Sequence, residues 1–148
     1  MDLVKIELNL YSEIANSFYT IENEAILYAK FSGVYRYGSE GNADGLYLFS
    51  KIVSYYFLFE PIAVIIDLQE LQYEWGNTIL KTLNLFSEIG RDEYEKRKHT
   101  FIITSDKNDI AINSLLKKLD NKHIQVCKKY ETALISAKRQ VLLYLEPD

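Results

Sequence analysis

The sequence is poor in the residues that staple, punctuate or activate a chain. A single cysteine, Cys127, stands among 148 residues, which excludes an internal disulfide and any need for an oxidising compartment. Two prolines and six glycines exclude a collagenous or linker-like chain. The two histidines, His99 and His123, pair with no second ligand at helical or zinc-knuckle spacing, so neither metal nor cofactor is expected. No apolar run reaches the ~20 residues of a spanning helix, because the longest, Tyr55 to Leu68, is broken by Glu60-Pro61. Met1-Asp2-Leu3-Val4-Lys5 lacks the basic start and long apolar core of a signal peptide. A cytoplasmic protein without membrane contact is the expectation. A net charge of −4 is far from the basic balance of a phosphate reader, so nucleic acid is not an expected partner.

What is present is a foldable core. Hydrophobic residues make up 48% of the chain and aromatic residues 14%, enough to bury roughly 70% of the unfolded surface at this size. One domain over residues 1–148 is expected, with residues 1–24 forming a strand extension at its start. The charge is uneven. Residues 1–74 carry 11 acids and 4 bases, whereas residues 75–148 carry 10 acids and 13 bases. Nine of the twelve tyrosines lie in the acidic half, and tyrosine is enriched at protein interfaces.

Periodicity places the elements. Val4, Ile6, Leu8 and Leu10 alternate with Lys5, Glu7 and Asn9, the period-two pattern of a half-buried strand. Phe18 to Ile21 and Ala25 to Val34 read as two more strands, antiparallel because the connection Glu22-Asn23-Glu24 is short. The loop Gly38 to Asn42 then leads into a helix capped by Asn42 or Asp44, with Leu46, Phe49, Val53, Tyr56 and Phe57 on its apolar stripe. Pro61 predicts its end at Phe59 or Glu60. Ile62 to Ile66 is a β-branched run closed by Asp67, apolar on both faces as central strands are. A helix from about Asn77 to Gly90 follows, then a strand at Phe101 to Thr104 and a helix through Ile112 and Leu119. Ile124 and Val126 begin an edge strand, and Thr132 caps a final helix with Leu134, Ala137, Val141 and Leu145 inward. Alternation of strand and helix predicts an α/β or α+β domain. Its mixed central sheet opens with antiparallel strands and continues as β-α-β-α-β-α units.

The chemistry is sparse. Cys127 lies on a predicted strand with no histidine beside it, and reads as structural. The glycines at 38, 41 and 45 precede a helix, as in phosphate-binding loops, but Glu40 and Asp44 would repel a phosphate. Asp67, Glu70 and Glu74 follow the central strand. Acid–base catalysis by Asp67 with Glu70 or Glu74 would need environments that separate their pKa values. The segment Leu71 to Leu80 holds the only tryptophan, Trp75, beside Gly76. It lies where a central strand turns into a helix, the place where open α/β sheets set their binding sites.

At this segment the chain resembles the STAS domain, the fold of anti-sigma-factor antagonists and of sulfate-transporter tails, over about residues 25 to 145. Ile65-Ile66-Asp67-Leu68 is similar to that family's central strand, and Glu74-Trp75-Gly76 lies where its Asp-Ser-Ser-Gly turn opens the second helix. Phe101 to Thr104 with the helix after it matches the next unit, and Glu131-Thr132-Ala133-Leu134 resembles the closing helix start. The resemblance implies a bacterial regulatory protein that binds a kinase-like partner. It also locates a departure: the family's phosphorylated serine or threonine is replaced here by Trp75, and Thr78 lies two residues past the glycine. No phosphorylation switch is therefore expected.

Three functions follow in order of expectation. The first is a non-catalytic protein-binding module using Glu40, Asn42 and Asp44 before the first helix with Glu74, Trp75, Gly76 and Asn77 at the turn. The second is an immunity-type inhibitor whose acidic half covers a basic toxin. The third is a small enzyme built on Asp67. An exposed edge strand also allows a homodimer.

Overall fold

The computed structural model describes residues 2–8, 10–21, 23–90, 96–119 and 122–147. Its elements are β1 (Ala15–Ile21), β2 (Ile26–Val34), α1 (Gly38–Phe59), β3 (Ala63–Gln72), α2 (Leu80–Leu83), α3 (Leu85–Ile89), β4 (His99–Ile103), α4 (Asp109–Leu116), β5 (Ile124–Cys127) and α5 (Tyr130–Leu145). The five strands form one sheet in the order β1-β2-β3-β4-β5. The β1–β2 hairpin is antiparallel, whereas β2–β3, β3–β4 and β4–β5 are parallel. This is the mixed sheet that the alternation predicts.

Strand β3 lies in the middle and feeds both faces, because successive side chains of a strand point to opposite sides. Ala63 and Ile65 pack with Ala133, Ala137 and Val141 of α5. Val64, Ile66 and Leu68 pack on the other side with Leu48 and Ile52 of α1, Leu83, and Ile112 of α4. A fully buried isoleucine contributes about 1.5–3 kcal/mol, so this β-branched run anchors the two cores together.

Several expectations need correction. Val4 to Leu10 forms no strand among the described residues: Val4, Ile6 and Leu8 are 73–88% exposed. Alternation creates an amphipathic segment, but a strand exists only where a neighbour accepts its hydrogen bonds. Helix α1 begins at Gly38, not after a flexible loop, and neither Asn42 nor Asp44 caps it. Its buried stripe is Leu48, Ile52 and Tyr56, with Phe57 60% exposed. The segment from Asn77 to Gly90 is two short helices meeting at Asn84. Strand β3 runs five residues past Asp67. Helix α4 stops at Leu116, short of Leu119. Helix α5 starts at Tyr130 with Lys129 as its cap residue, not Thr132, and Leu145 is 64% exposed. The break at Phe59, ahead of Glu60-Pro61, falls where the proline predicts.

Candidate functional site

One end of the sheet gathers three segments: the end of β2 with Tyr35 to Tyr37, the first turns of α1, and the turn from Tyr73 to Ile79 after β3. A buried backbone bond from Tyr35 N–H to the Gln72 carbonyl, 2.9 Å, ties the first to the third. The Tyr35 ring is the floor on which they meet, with the Tyr73 ring packed edge-on at 5.2 Å. Gly76, at φ +123°, lies so close that a Cβ there would sit 3.1 Å from the Tyr35 ring. Gly41 and Gly45 serve the same approach from α1. A Cβ on Gly45 would fall 2.7 Å from Thr78 and from the Tyr35 hydroxyl, and one on Gly41 would fall 2.3 Å from the Arg36 carbonyl oxygen. Gly41 and Gly45, expected in a flexible strand-to-helix connection, are thus close-packing residues of a helix.

Asp44 is the electrostatic pin of this corner. It is fully buried and accepts from the Arg36 backbone N–H at 2.8 Å, from the Arg36 guanidinium at 2.9 and 3.1 Å, and from Ser12 Oγ at 2.5 Å. Burial by itself would raise its pKa, but the hydrogen bonds from Arg36 and Ser12 outweigh it and hold the carboxyl below its ordinary value. The expectation that Asp44 contacts a partner is therefore corrected: it has no exposed surface.

Of the other predicted contacts, Glu40, Asn42, Glu74, Trp75 and Asn77 are exposed, and Gly76 is half-buried against Tyr35. The Tyr37 and Trp75 rings stack with centroids 5.1 Å apart and planes 9° from parallel. They are 51% and 55% exposed. The Tyr37 hydroxyl donates to Glu74, whose acceptance raises the tyrosine's pKa. Arg36 also holds Glu40 through an ion pair of 2.8 Å. Asn42 accepts from Thr78 Oγ1 at 2.6 Å, bridging α1 to the turn, and Asn77 accepts from Lys118 Nζ at 3.4 Å. The outcome is a flat aromatic platform edged by carboxylates. Tyr37 escaped the sequence reading, because a spacing of two from the buried Tyr35 gives no signal that one ring is buried and the other exposed.

The carboxylates of the enzyme alternative lie in three different settings. Asp67 is 3% exposed, on the α5 side of the sheet, and accepts from the Tyr28 hydroxyl and from Gln69 N–H at 3.0 Å. It sits at a one-residue bulge, where Lys30 pairs with Asp67 but Ser32 pairs with Glu70. Burial and the Asp67 bond push the Tyr28 hydroxyl well above its ordinary pKa. Glu70 is exposed and pairs with Lys107 at 3.0 Å. Glu74 belongs to the Tyr37 platform. The bulge is clamped by residues that sequence reasoning passed over: Asn108 donates to the Leu68 and Leu71 carbonyls at 2.6 and 2.9 Å, and Ser105 Oγ donates to that of Gln69 at 2.7 Å.

Elsewhere, Cys127 is buried and its thiol pKa is raised by that burial. His99 and His123 meet across adjacent strands, Nε2 to Nδ1 at 3.1 Å, and burial followed by the neighbouring imidazole lowers the His99 pKa. Among the described residues no three acidic, histidine or cysteine side chains form a metal-holding group, and no helix is long and apolar enough to cross a membrane.

The crystal structure of an anti-sigma factor antagonist from Mycobacterium paratuberculosis superposes on 84% of this chain and 95% of its own, with a TM-score of 0.55 and 12% identity. The chain has a STAS-like fold. No protein-family model matches it, and no curated protein matches it in sequence. Within the STAS-like fold, Trp75 occupies the β3–α2 turn to which the resemblance assigns a phosphorylated hydroxyl. Thr78, the nearby hydroxyl, is half-buried and already bonded to Asn42.

Proposed function

We propose that this chain is a non-catalytic regulatory module that docks a protein partner through the Tyr37–Trp75 platform and works without a phosphorylation switch. The observation that carries the reading is the exposed stack of Tyr37 on Trp75 at the strand-to-helix end of the sheet. Flat, rigid aromatic side chains supply contact area at little entropic cost, which is why they recur as interface hot spots. The exposed rim residues Glu40, Asn42, Glu74 and Asn77 supply polar contacts around the stack. The fold's likeness to an anti-sigma factor antagonist supports a role in binding a regulatory protein. The tryptophan in place of a hydroxyl favours constitutive docking over a phosphate-controlled one.

The test is a quantitative affinity capture with the wild-type chain, Trp75→Ala, Tyr37→Ala and a control, Arg139→Ala on the exposed side of α5. The reading expects one partner that both platform variants lose and the control retains. Identifying that partner separates a regulatory kinase-like protein from a toxin. Equal recovery of every captured protein by all four chains would sink the reading.

A further inference from the structure

We propose that the segment Leu3–Leu8 is a donor strand that pairs with the free edge of β1 in a second copy of this chain, closing a two-fold dimer. Among the described residues the sheet ends at β1, and no described strand takes the backbone donors and acceptors on its outer side. Beside it lies an open apolar shelf of about 370 Å³ formed by Tyr19, Ile21, Tyr28 and Tyr130. Helix α5 covers the neighbouring strands, leaving Tyr19 56% exposed.

The donor has the matching pattern. Val4 and Ile6 are 82% and 88% exposed and Leu8 is 73% exposed, all on one face of an alternating segment. Lys5 and Glu7, which alternate with them in sequence, reach each other at 3.8 Å. Strand β1 sets Tyr19 and Ile21 toward the shelf, while Asn16, Phe18 and Thr20 face the other side, where Phe18 stacks on Tyr55 and Asn16 donates to Tyr47. A strand laid beside it with Val4, Ile6 and Leu8 along the tyrosines leaves Lys5 and Glu7 on the side of Asn16 and Thr20. The reverse assignment would bury the charges, so the pattern specifies the face. Among the described residues the segment pairs with no strand of its own chain, although β1 begins only seven residues after Leu8. Ser12 and Ile14 are meanwhile held by Asp44 and by the core.

The area is sufficient. In a two-fold exchange each copy contributes the six donor residues Leu3–Leu8, the seven of β1, and Tyr28 with Tyr130. At the ~30–40 Å² that a residue of a standard interface buries, this is about 900–1,200 Å² in total, around the size at which specific interfaces begin. Addition of a strand to a sheet edge supplies main-chain hydrogen bonds for affinity and alternate side chains for specificity.

Sedimentation equilibrium of the full chain over a wide concentration range, paired with hydrogen exchange, tests this. The expected result is a dimer whose Leu3–Leu8 amides exchange at least tenfold more slowly than at monomeric dilution. Ile6→Lys and Tyr19→Lys should each give a monomer, and Ile135→Lys on α5 should leave the dimer intact. These positions are all exposed in the single chain, so loss of folding does not confuse the readout. A monomer at every concentration, a dimer that survives Ile6→Lys, or slow exchange that persists on dilution (a hairpin within one chain) would each overturn the proposal.

Discussion

The indole of Trp75 is covered on one face by the ring of Tyr37, 5.1 Å away and 9° from parallel, while more than half of each residue remains open to solvent. The stack joins the end of β2 to the turn after β3. As Trp75 is the sole tryptophan, its fluorescence reports this contact alone. Tyr37→Ala should shift the emission maximum to longer wavelength while leaving the melting temperature within a few degrees. An unchanged spectrum would mean that the stack does not persist in solution.

Asp44 predicts a stability effect of a different size. Its carboxylate is buried and takes hydrogen bonds from Arg36 and Ser12. Asp44→Ala strips the buried acceptor from the Arg36 backbone N–H and from Ser12 and leaves the guanidinium only its exposed pair with Glu40, a change that costs about 1–3 kcal/mol. Chemical denaturation should show it. Because the carboxyl's pKa is lowered on folding, its contribution is full above the ordinary carboxylate pKa of about 4 and is lost as pH falls below it. Wild type should therefore lose stability on acidification more steeply than Asp44→Asn.

Gly45→Ala and Gly41→Ala reverse the usual sign. Replacing a mid-helix glycine with alanine ordinarily stabilises by about 0.5–1 kcal/mol. Here the added carbon would fall 2.7 Å from Thr78 and the Tyr35 hydroxyl, or 2.3 Å from the Arg36 carbonyl oxygen. Overpacking of this kind costs about 1–3 kcal/mol. Gly41→Ala should be the worse of the two, since backbone yields less than side chains. A gain in melting temperature for either would contradict the close packing of α1.

His99 gives a second pH window. Its pKa is lowered by burial and by His123, so the unfolded chain binds this proton more readily than the folded one. Stability should be full above about pH 6.5, the ordinary histidine value, and fall as pH drops through it toward the lower folded value. His99→Gln should flatten the stability curve over that interval. A profile identical to wild type would remove the histidine pair as its source.

Much of the architecture was legible because local chemistry decided it. The β-branched run Ile62 to Ile66 had to be a strand covered on both faces, Pro61 had to end a helix, and the short connection after Ile21 had to make a hairpin. The convergence of Trp75, Glu74, Asn77, Glu40 and Asn42 also followed from strand-to-helix order. The role of Asp44 did not, because a carboxylate beside glycines reads as a cap or a solvated charge until Arg36 and Ser12 arrive from elsewhere in the chain.

The sequence by itself determined one STAS-like mixed sheet, an acidic first half crowded with tyrosine, and a strand-to-helix turn that carries the sole tryptophan. Only the tertiary structure decided which face each residue serves. It turned the glycines at 41 and 45 from a loop into a packing surface, gave Asp67, Glu70 and Glu74 three different partners, and set Tyr37 over Trp75. The reason is physical: periodicity reports how a segment divides polar from apolar, while burial and contact depend on neighbours distant in sequence. Val4 to Leu8 shows the difference, an amphipathic strand by pattern that one chain leaves without a partner.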